Sequence, residues 1–328
     1  MSINFKQTII HNLDLNMGQP LISKELTVLT DEIESFITRK IFKVLEGQGI
    51  CEGTFKEQMS LYEDDQLYSV VKKWEPGKFK RLSEVLANVF YRYIVEYGTI
   101  SSGDLVVTNY LMDGKEYLAI LKLNFNSGSH THYYSHEEEA MKLVTNKSIY
   151  SDKVTEAAII CIDEVSIQLL DETKCKYLQL LLDVDTKLSV KEKLKAIDKV
   201  ATKVIEEHYD NPIKALNDLK ANISESLART NSINVAEVVE QTFGEDEEVL
   251  ECCKNHLKEF GLNEEQTIKV TGSKLFNKYS NQKLKTDTGI EIKMPTHLFK
   301  DKDFFEIIEE HNGTQTLIIK NVSQVLNK

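Results

Sequence analysis

Arginine is scarce in this chain, with four residues in 328. The planar guanidinium is the side chain best suited to bidentate reading of guanine edges. A basic surface built almost wholly from lysine can follow phosphates but is poorly equipped to select a base sequence. Glycine (14) and proline (4) are also few, and 41% of residues are hydrophobic. That profile excludes collagen-like, mucin-like and wholly disordered chains. The five cysteines, Cys51, Cys161, Cys175, Cys252 and Cys253, are odd in number and form neither a disulfide framework nor a C-x-x-C metal knuckle. Cys161 lies in the apolar run AAIICI and reads as a small buried hydrophobe. No apolar run approaches the roughly 18 residues of a membrane span. The opening MSINFKQTIIHNLD has no basic stretch followed by an apolar core. A soluble, cytoplasmic protein in a reducing compartment is expected, with no membrane partner.

Enzyme signatures are missing too. The sequence contains no G-x-x-x-x-G-K-[ST] phosphate loop, no G-x-G-x-x-G, no G-x-S-x-G elbow and no H-E-x-x-H. Each of these solves a physical problem, such as close backbone approach to phosphate, that other residues solve poorly. No catalytic residue, cofactor or resident metal is therefore assigned.

The length suits about two domains. Early residues alternate as a strand (Ile3, Phe5, then 8–10). Leu26, Leu29, Ile33, Phe36, Ile37 and Ile41 follow at helical spacing, with Thr30 or Ser23 as cap and Gly47 and Gly49 as stop. Further helices are expected over 64–74 and 82–97, the latter with Ser83 as a cap and Gly98 at its end. The strongest hairpin signal is 104–112 and 115–123 joined by Asp113-Gly114, which supplies the two positive-φ residues of a type I′ turn. More strands are expected at 154–162 and 176–183.

Beyond Asp185 the periodicity becomes helical, over 189–209, 212–229, 233–243 and 245–260. Leu257 and Phe260 extend the last apolar stripe, and Gly261 closes it. Strands return at 267–270, 283–285, 290–293, 304–309 and 316–320, with Asn312-Gly313 as a second turn. The fold class is α+β: an antiparallel sheet with covering helices over 1–185, then a helical segment followed by a small antiparallel sheet over 186–328.

His130, His132 and His136 in SGSHTHYYSHEEE are the candidate metal ligands, with acids beside them. The plain alternative is a polar loop entering a helix near Ser135. Asp163-Glu164 and the Asp183/Asp185 pair sit at strand ends, where acids cap turns or serve hydrolytic sites.

Charge distribution is more informative. The net charge is -12, with 52 acids against 40 bases, so a molecule coated in positive charge is excluded. Across 266–300, however, seven lysines (Lys269, Lys274, Lys278, Lys283, Lys285, Lys293 and Lys300) face two acids (Asp287 and Glu291), a local +5, with Phe276 and Tyr279 interleaved. Across 72–81 five bases (Lys72, Lys73, Lys78, Lys80 and Arg81) face only Glu75, a local +4. Residues 237–251 carry seven acids and no base. Lysines segregated in this way suit a phosphate-tracking surface, because each neutralised phosphate releases counterions.

The segments INFKQTIIHNLD, PLISKELTVLTDEIESFITRKI, GDLVVTNYLMDGKEYLAILKL and KLKTDTGIEIKMPTHLF…FFEIIEEHNGTQTLIIKN occur in an order that resembles the bacterial NdpA-type nucleoid-associated protein family. The resemblance spans nearly the full length. It implies a cytoplasmic protein of the nucleoid that binds DNA or chromosome-maintenance proteins and catalyses no reaction.

The expected function is accordingly weak, salt-sensitive DNA binding without strong sequence preference, through Lys269, Lys274, Lys278, Lys283, Lys285 and Lys293. A homodimer would set two basic faces side by side and so offset the repulsion of a net acidic molecule. Two other readings stand beside it. One is an adaptor whose acidic 237–251 segment docks a basic protein partner. The other is a metal-dependent nucleic-acid enzyme built on His130, His132 and His136.

Overall fold

Two compact units divide the chain, Met1–Ser189 and Val190–Lys328. The computed structural model describes residues 2–56, 67–135, 140–148, 153–209, 212–263, 266–270, 273–310 and 314–324, with backbone alone at 126–135, 140–148, 273–275, 300 and 309.

The first unit runs β1 (Ile3–Leu13), α1 (Asp31–Leu45), β2 (Ile50–Phe55), α2 (Leu67–Lys72), α3 (Phe79–Tyr97), β3 (Gly103–Met112), β4 (Lys115–Asn124), β5 (Asn126–Ser135), β6 (Ala140–Ser148), β7 (Glu156–Cys161), β8 (Ser166–Asp171), α4 (Leu178–Leu182) and β9 (Val184–Thr186). Asp113 and Gly114 take φ of 52° and 82°, so the β3–β4 turn has the mirror-image geometry that Asp-Gly favours. From this hairpin grows a seven-stranded antiparallel sheet in the order β1-β3-β4-β7-β8-β2-β9; β5 and β6 pair separately.

α3 packs Phe79, Leu82, Leu86, Phe90 and Ile94 with Leu105, Leu118, Ile120 and Ile160 in one core. α1 packs Ile37, Ile41 and Val44 with Val106, Ala119, Leu121 and Ile159 in another. Successive residues of a strand point to opposite faces, so a sheet covered on both faces buries them all. β7 is accordingly buried at every position.

Local signals explain most boundaries. Thr30 caps α1, its hydroxyl accepting from the Ile33 N–H, while Ser23 instead donates to the Ile10 carbonyl. Leu26 and Leu29 thus precede the helix. Ser83 is not a cap: it is buried inside α3, which begins at Phe79, and its hydroxyl donates to the Lys80 carbonyl. Residues 57–66, part of the expected helix over 64–74, lie outside the described residues.

The expected strand over 176–183 is instead the short helix α4. Lys176 and Asp183 bracket it in the left-handed region, with φ of 50° and 55°, and the Asp171 carboxylate accepts the Leu178 N–H at 2.9 Å. Those bends stop the leucine run from extending, and the strand that pairs with β7 is β8, which the sequence reading did not anticipate.

The second unit contains α5 (Val190–His208), α6 (Pro212–Thr230), β10 (Ser232–Asn234), α7 (Val235–Phe243), α8 (Glu247–Glu259), β11 (Thr267–Lys269), α9 (Ser273–Tyr279), β12 (Asn281–Lys285), β13 (Glu291–Pro295), α10 (Thr296–Lys300), β14 (Phe305–Glu309) and β15 (Gln315–Ile319). The α5 stripe of Leu194, Ile197, Val200, Val204 and Ile205 packs with Leu219 and Ile223 of α6, Val238 and Phe243 of α7 and Cys253 and Leu257 of α8. Asn234 and Asp246 cap α7 and α8 through their side chains. Gly261 follows α8 with φ of 74°. Phe260 departs from the expected stripe: it is 40% exposed, with the Lys199 ammonium 5.4 Å from its ring centre. Strands pair antiparallel in twos: β10 with β11, β12 with β13, β14 with β15. The expected Asn312-Gly313 turn falls outside the described residues.

Candidate nucleic-acid interface

The β12–β13 hairpin sorts its side chains by the two-residue period of a strand. Lys283 lies directly opposite Lys293, and Lys285 opposite Glu291, so these four share one face. All four are exposed. The other face holds Gln282, Leu284, Ile292 and Met294, all buried or half-buried. The ribbon therefore presents three ammonium groups and one carboxylate outward.

Its base is fixed by buried polar contacts. Gln282 (2% exposed) donates its side-chain amide to the Asn217 carbonyl oxygen of α6, itself on a residue 4% exposed. The buried Thr296 hydroxyl, just past β13, donates to the Tyr279 carbonyl at the end of α9. At the far end the loop is closed by backbone bonds from Thr286 to Ile290 at 2.9 Å and from Gly289 to Thr286 at 3.0 Å. Gly289 sits at φ of 89°, where a Cβ would strain the chain.

The six lysines singled out in the sequence have different surroundings. Lys283 and Lys293 have no carboxylate partner among the described residues. Lys285 pairs across the ribbon with Glu291 at 3.5 Å. Lys278 is tied to α5 by Asp198, at 2.7 Å. Tyr279 donates to the same carboxylate at 3.1 Å, and burial pushes its phenol pKa well up. Lys269 is exposed at the end of β11, in a different two-stranded sheet. Lys274 lies in α9, where only the backbone is described. Register thus brings Lys283, Lys285 and Lys293 together.

The interleaved aromatics are spent inside. Tyr279 is 2% exposed and Phe276 packs on the second unit's core. They offer no stacking platform on the lysine face.

In the basic stretch at 72–81 three of the five bases meet carboxylates. Lys80 reaches Glu25 at 2.7 Å, Lys78 reaches Glu75 at 3.4 Å, and Arg81 lies 4.0 Å from Glu84. Lys72 donates to the Tyr68 hydroxyl at 3.2 Å and lies over its ring.

The acids of 237–251 also have local employment. Glu237 pairs with Arg229, Asp246 caps α8, and Glu247 and Glu248 occupy the first turn of α8, where the helix dipole favours negative charge.

The other candidate sites separate in the same way. The Asp163 carboxylate accepts the Glu116 N–H at 2.7 Å, Glu164 pairs with Lys115, and Asp185 pairs with Lys56 at 3.2 Å. Asp183 ends α4 in a left-handed conformation. The backbone of His130 and His132 lies in β5, while their side chains and all of His136 lie outside the described residues. Among the described residues no group of three or more His, Cys, Asp and Glu side chains is placed to hold a metal ion, and no helix is long and apolar enough to cross a membrane.

The residues that decide which lysines are free act through contacts set by the fold. Asp198 lies 80 positions before Lys278, and no local count reveals it. Glu291 was visible as an acid, but its pairing with Lys285 follows only from the hairpin register.

The profile of the family described as nucleoid-associated protein YejK matches residues 9–327, almost the whole chain. The chain belongs to that family. The resemblance to NdpA-type proteins read from the ordered sequence segments is thereby borne out, and a nucleoid-associated role follows from membership. No curated protein matches the chain with significance.

Proposed function

We propose that this family member binds DNA directly, weakly and without catalysing a reaction, through the lysine face of the β12–β13 ribbon. The observation that carries the reading is the pair Lys283 and Lys293, both exposed on one face and without a carboxylate partner among the described residues. A net charge of -12 repels a polyanion at long range, so contact depends on short-range pairing between these ammoniums and phosphates. Lysine-only contacts position a protein on the duplex without reading its bases. The two halves, 1–185 and 186–328, serve as separate domains in this reading, with the contact in the second. The first acts as scaffold, and pairing of two copies sets two ribbons side by side. Lys269 and Lys274 add to the footprint, whereas Lys278 and Lys285 contribute less because Asp198 and Glu291 hold them.

The test is a salt series of duplex affinity for the wild type and for a variant with Lys283→Glu and Lys293→Glu. Binding that strengthens as salt falls, and that disappears in the variant, supports the reading. Affinity left intact by the double reversal would move the DNA contact away from this ribbon. A wild type with no affinity for duplex at low salt would leave attachment to the nucleoid to a protein partner.

A further inference from the structure

We infer that Lys283 and Lys293 act as one clip that grips a single backbone phosphate. The inference rests on the DNA-binding reading above and specifies its contact. The two residues are directly paired across the ribbon, so their Cβ atoms stand about 5 Å apart on the same face. Two like charges in that relation destabilise a sheet when nothing lies between them. Neither has a carboxylate to relieve it among the described residues, although the next pair along, Lys285 and Glu291, is balanced at 3.5 Å. The ribbon thus spends one carboxylate on one lysine pair position and leaves the neighbouring position doubly positive.

A phosphodiester suits that gap. It carries one negative charge shared over two non-bridging oxygens, and each can accept from a separate ammonium. Binding there replaces a repulsion with two charge-assisted hydrogen bonds. The base of the ribbon is held by the buried Gln282–Asn217 contact and by Thr296 on Tyr279. The paired lysines therefore enter the contact from a fixed backbone and lose only side-chain freedom.

Sharing one phosphate has a measurable signature. Each phosphate neutralised on B-form DNA contributes about 0.9 to the slope of log affinity against log salt. Affinities for a short mixed-sequence duplex would be measured over a salt series for the wild type, Lys283→Gln, Lys293→Gln and the double variant. A shared phosphate predicts that the double variant lowers the slope by about 1 in total. It also predicts that either single variant alone keeps most of the slope, because the remaining ammonium still neutralises the phosphate, a non-additive cycle. A fall of about 2, with the single losses adding, assigns the lysines to separate phosphates and overturns the clip while leaving DNA contact by the ribbon intact. An unchanged slope in the double variant overturns both the clip and the ribbon's place in DNA binding. Thermal unfolding checks the fold: the double variant should be at least as stable as the wild type, because it removes an opposed like-charge pair.

Discussion

Residues 72–81 and 266–300 carry local charges of +4 and +5, and the fold treats them differently. In the first stretch, Glu25, 55 positions away, meets Lys80, and Glu75 and Glu84, each three residues off, face Lys78 and Arg81, while Lys72 and Lys73 have no carboxylate partner among the described residues. In the second, Asp198 and Glu291 engage Lys278 and Lys285, and Lys283 and Lys293 are left facing each other without a carboxylate between them. A local excess of positive charge in sequence is therefore not yet a patch. What decides is whether the fold returns a carboxylate to it.

The largest effect is expected at the ribbon. Replacing Lys283 and Lys293 by glutamate should abolish measurable duplex binding at physiological salt, while the same reversal at Lys78 and Lys80 should leave it unchanged. Electrophoretic mobility shift or fluorescence anisotropy across a salt series reads both. Equal losses from the two reversals would mean that the distinction between paired and unpaired lysines carries no functional weight.

Fold and site were legible to different depths because they rest on different ranges of interaction. The β3–β4 hairpin and α5 to α8 depend on neighbours a few residues apart, and periodicity or turn chemistry reveals them. The 176–183 segment failed because LQLLL is equally apolar as strand or helix, and the left-handed bends at Lys176 and Asp183 decided it. The lysine cluster was visible as composition. Its division into held and free ammoniums was not, because the Asp198–Lys278 contact spans 80 positions and the Glu291–Lys285 contact needs the hairpin register. The roles of Gln282 and Asn217 were hidden for the same reason: amides look like surface residues until the fold buries them together.

Pairing at its extreme is seen in the first unit. The Lys122 ammonium is fully buried, donating to the Ser101 carbonyl at 2.7 Å and to Asn124, and lying 3.1 Å from Glu156. Tyr177 and Asn124 donate to the same carboxylate. Burial pulls the Lys122 pKa down, against the opposing pull of Glu156. Replacing Lys122 by methionine should cost about 3–5 kcal/mol, because Glu156 would remain buried without its cation. The double variant Lys122→Met with Glu156→Leu should recover much of that loss. Urea denaturation measures both. A single variant as stable as the wild type would show that the buried cation contributes nothing to this network.

A smaller change sharpens the contrast inside the ribbon. Glu291→Gln should release Lys285 to the lysine face, where it would gain a phosphate of its own. The salt slope of duplex binding should then steepen by about 1. Asp287→Asn, in the loop beyond the paired positions, removes the same charge without freeing a lysine. It should raise affinity less and leave the slope nearly unaltered. Identical behaviour of the two variants would reduce Glu291 to a general contribution to net charge.

The smallest expected effect lies in the stretch at 72–81. Lys80 donates to Glu25 on the surface, and that hydrogen bond, with the Coulomb attraction second, holds the Glu25 carboxyl below its ordinary 4.5. A carboxylate held down in this way adds stability above its unfolded pKa and gives it up as the pH falls through the folded value. Exposure and counterions screen the pair, so Lys80→Gln should shift the unfolding midpoint little at neutral pH and not at all once Glu25 is protonated. An NMR titration should find the Glu25 carboxyl back at its ordinary value in the variant, with duplex affinity unmoved. If affinity fell together with that return, Lys80 would be touching DNA despite its carboxylate. The line between the two basic stretches would then have to be drawn by position on the surface rather than by pairing.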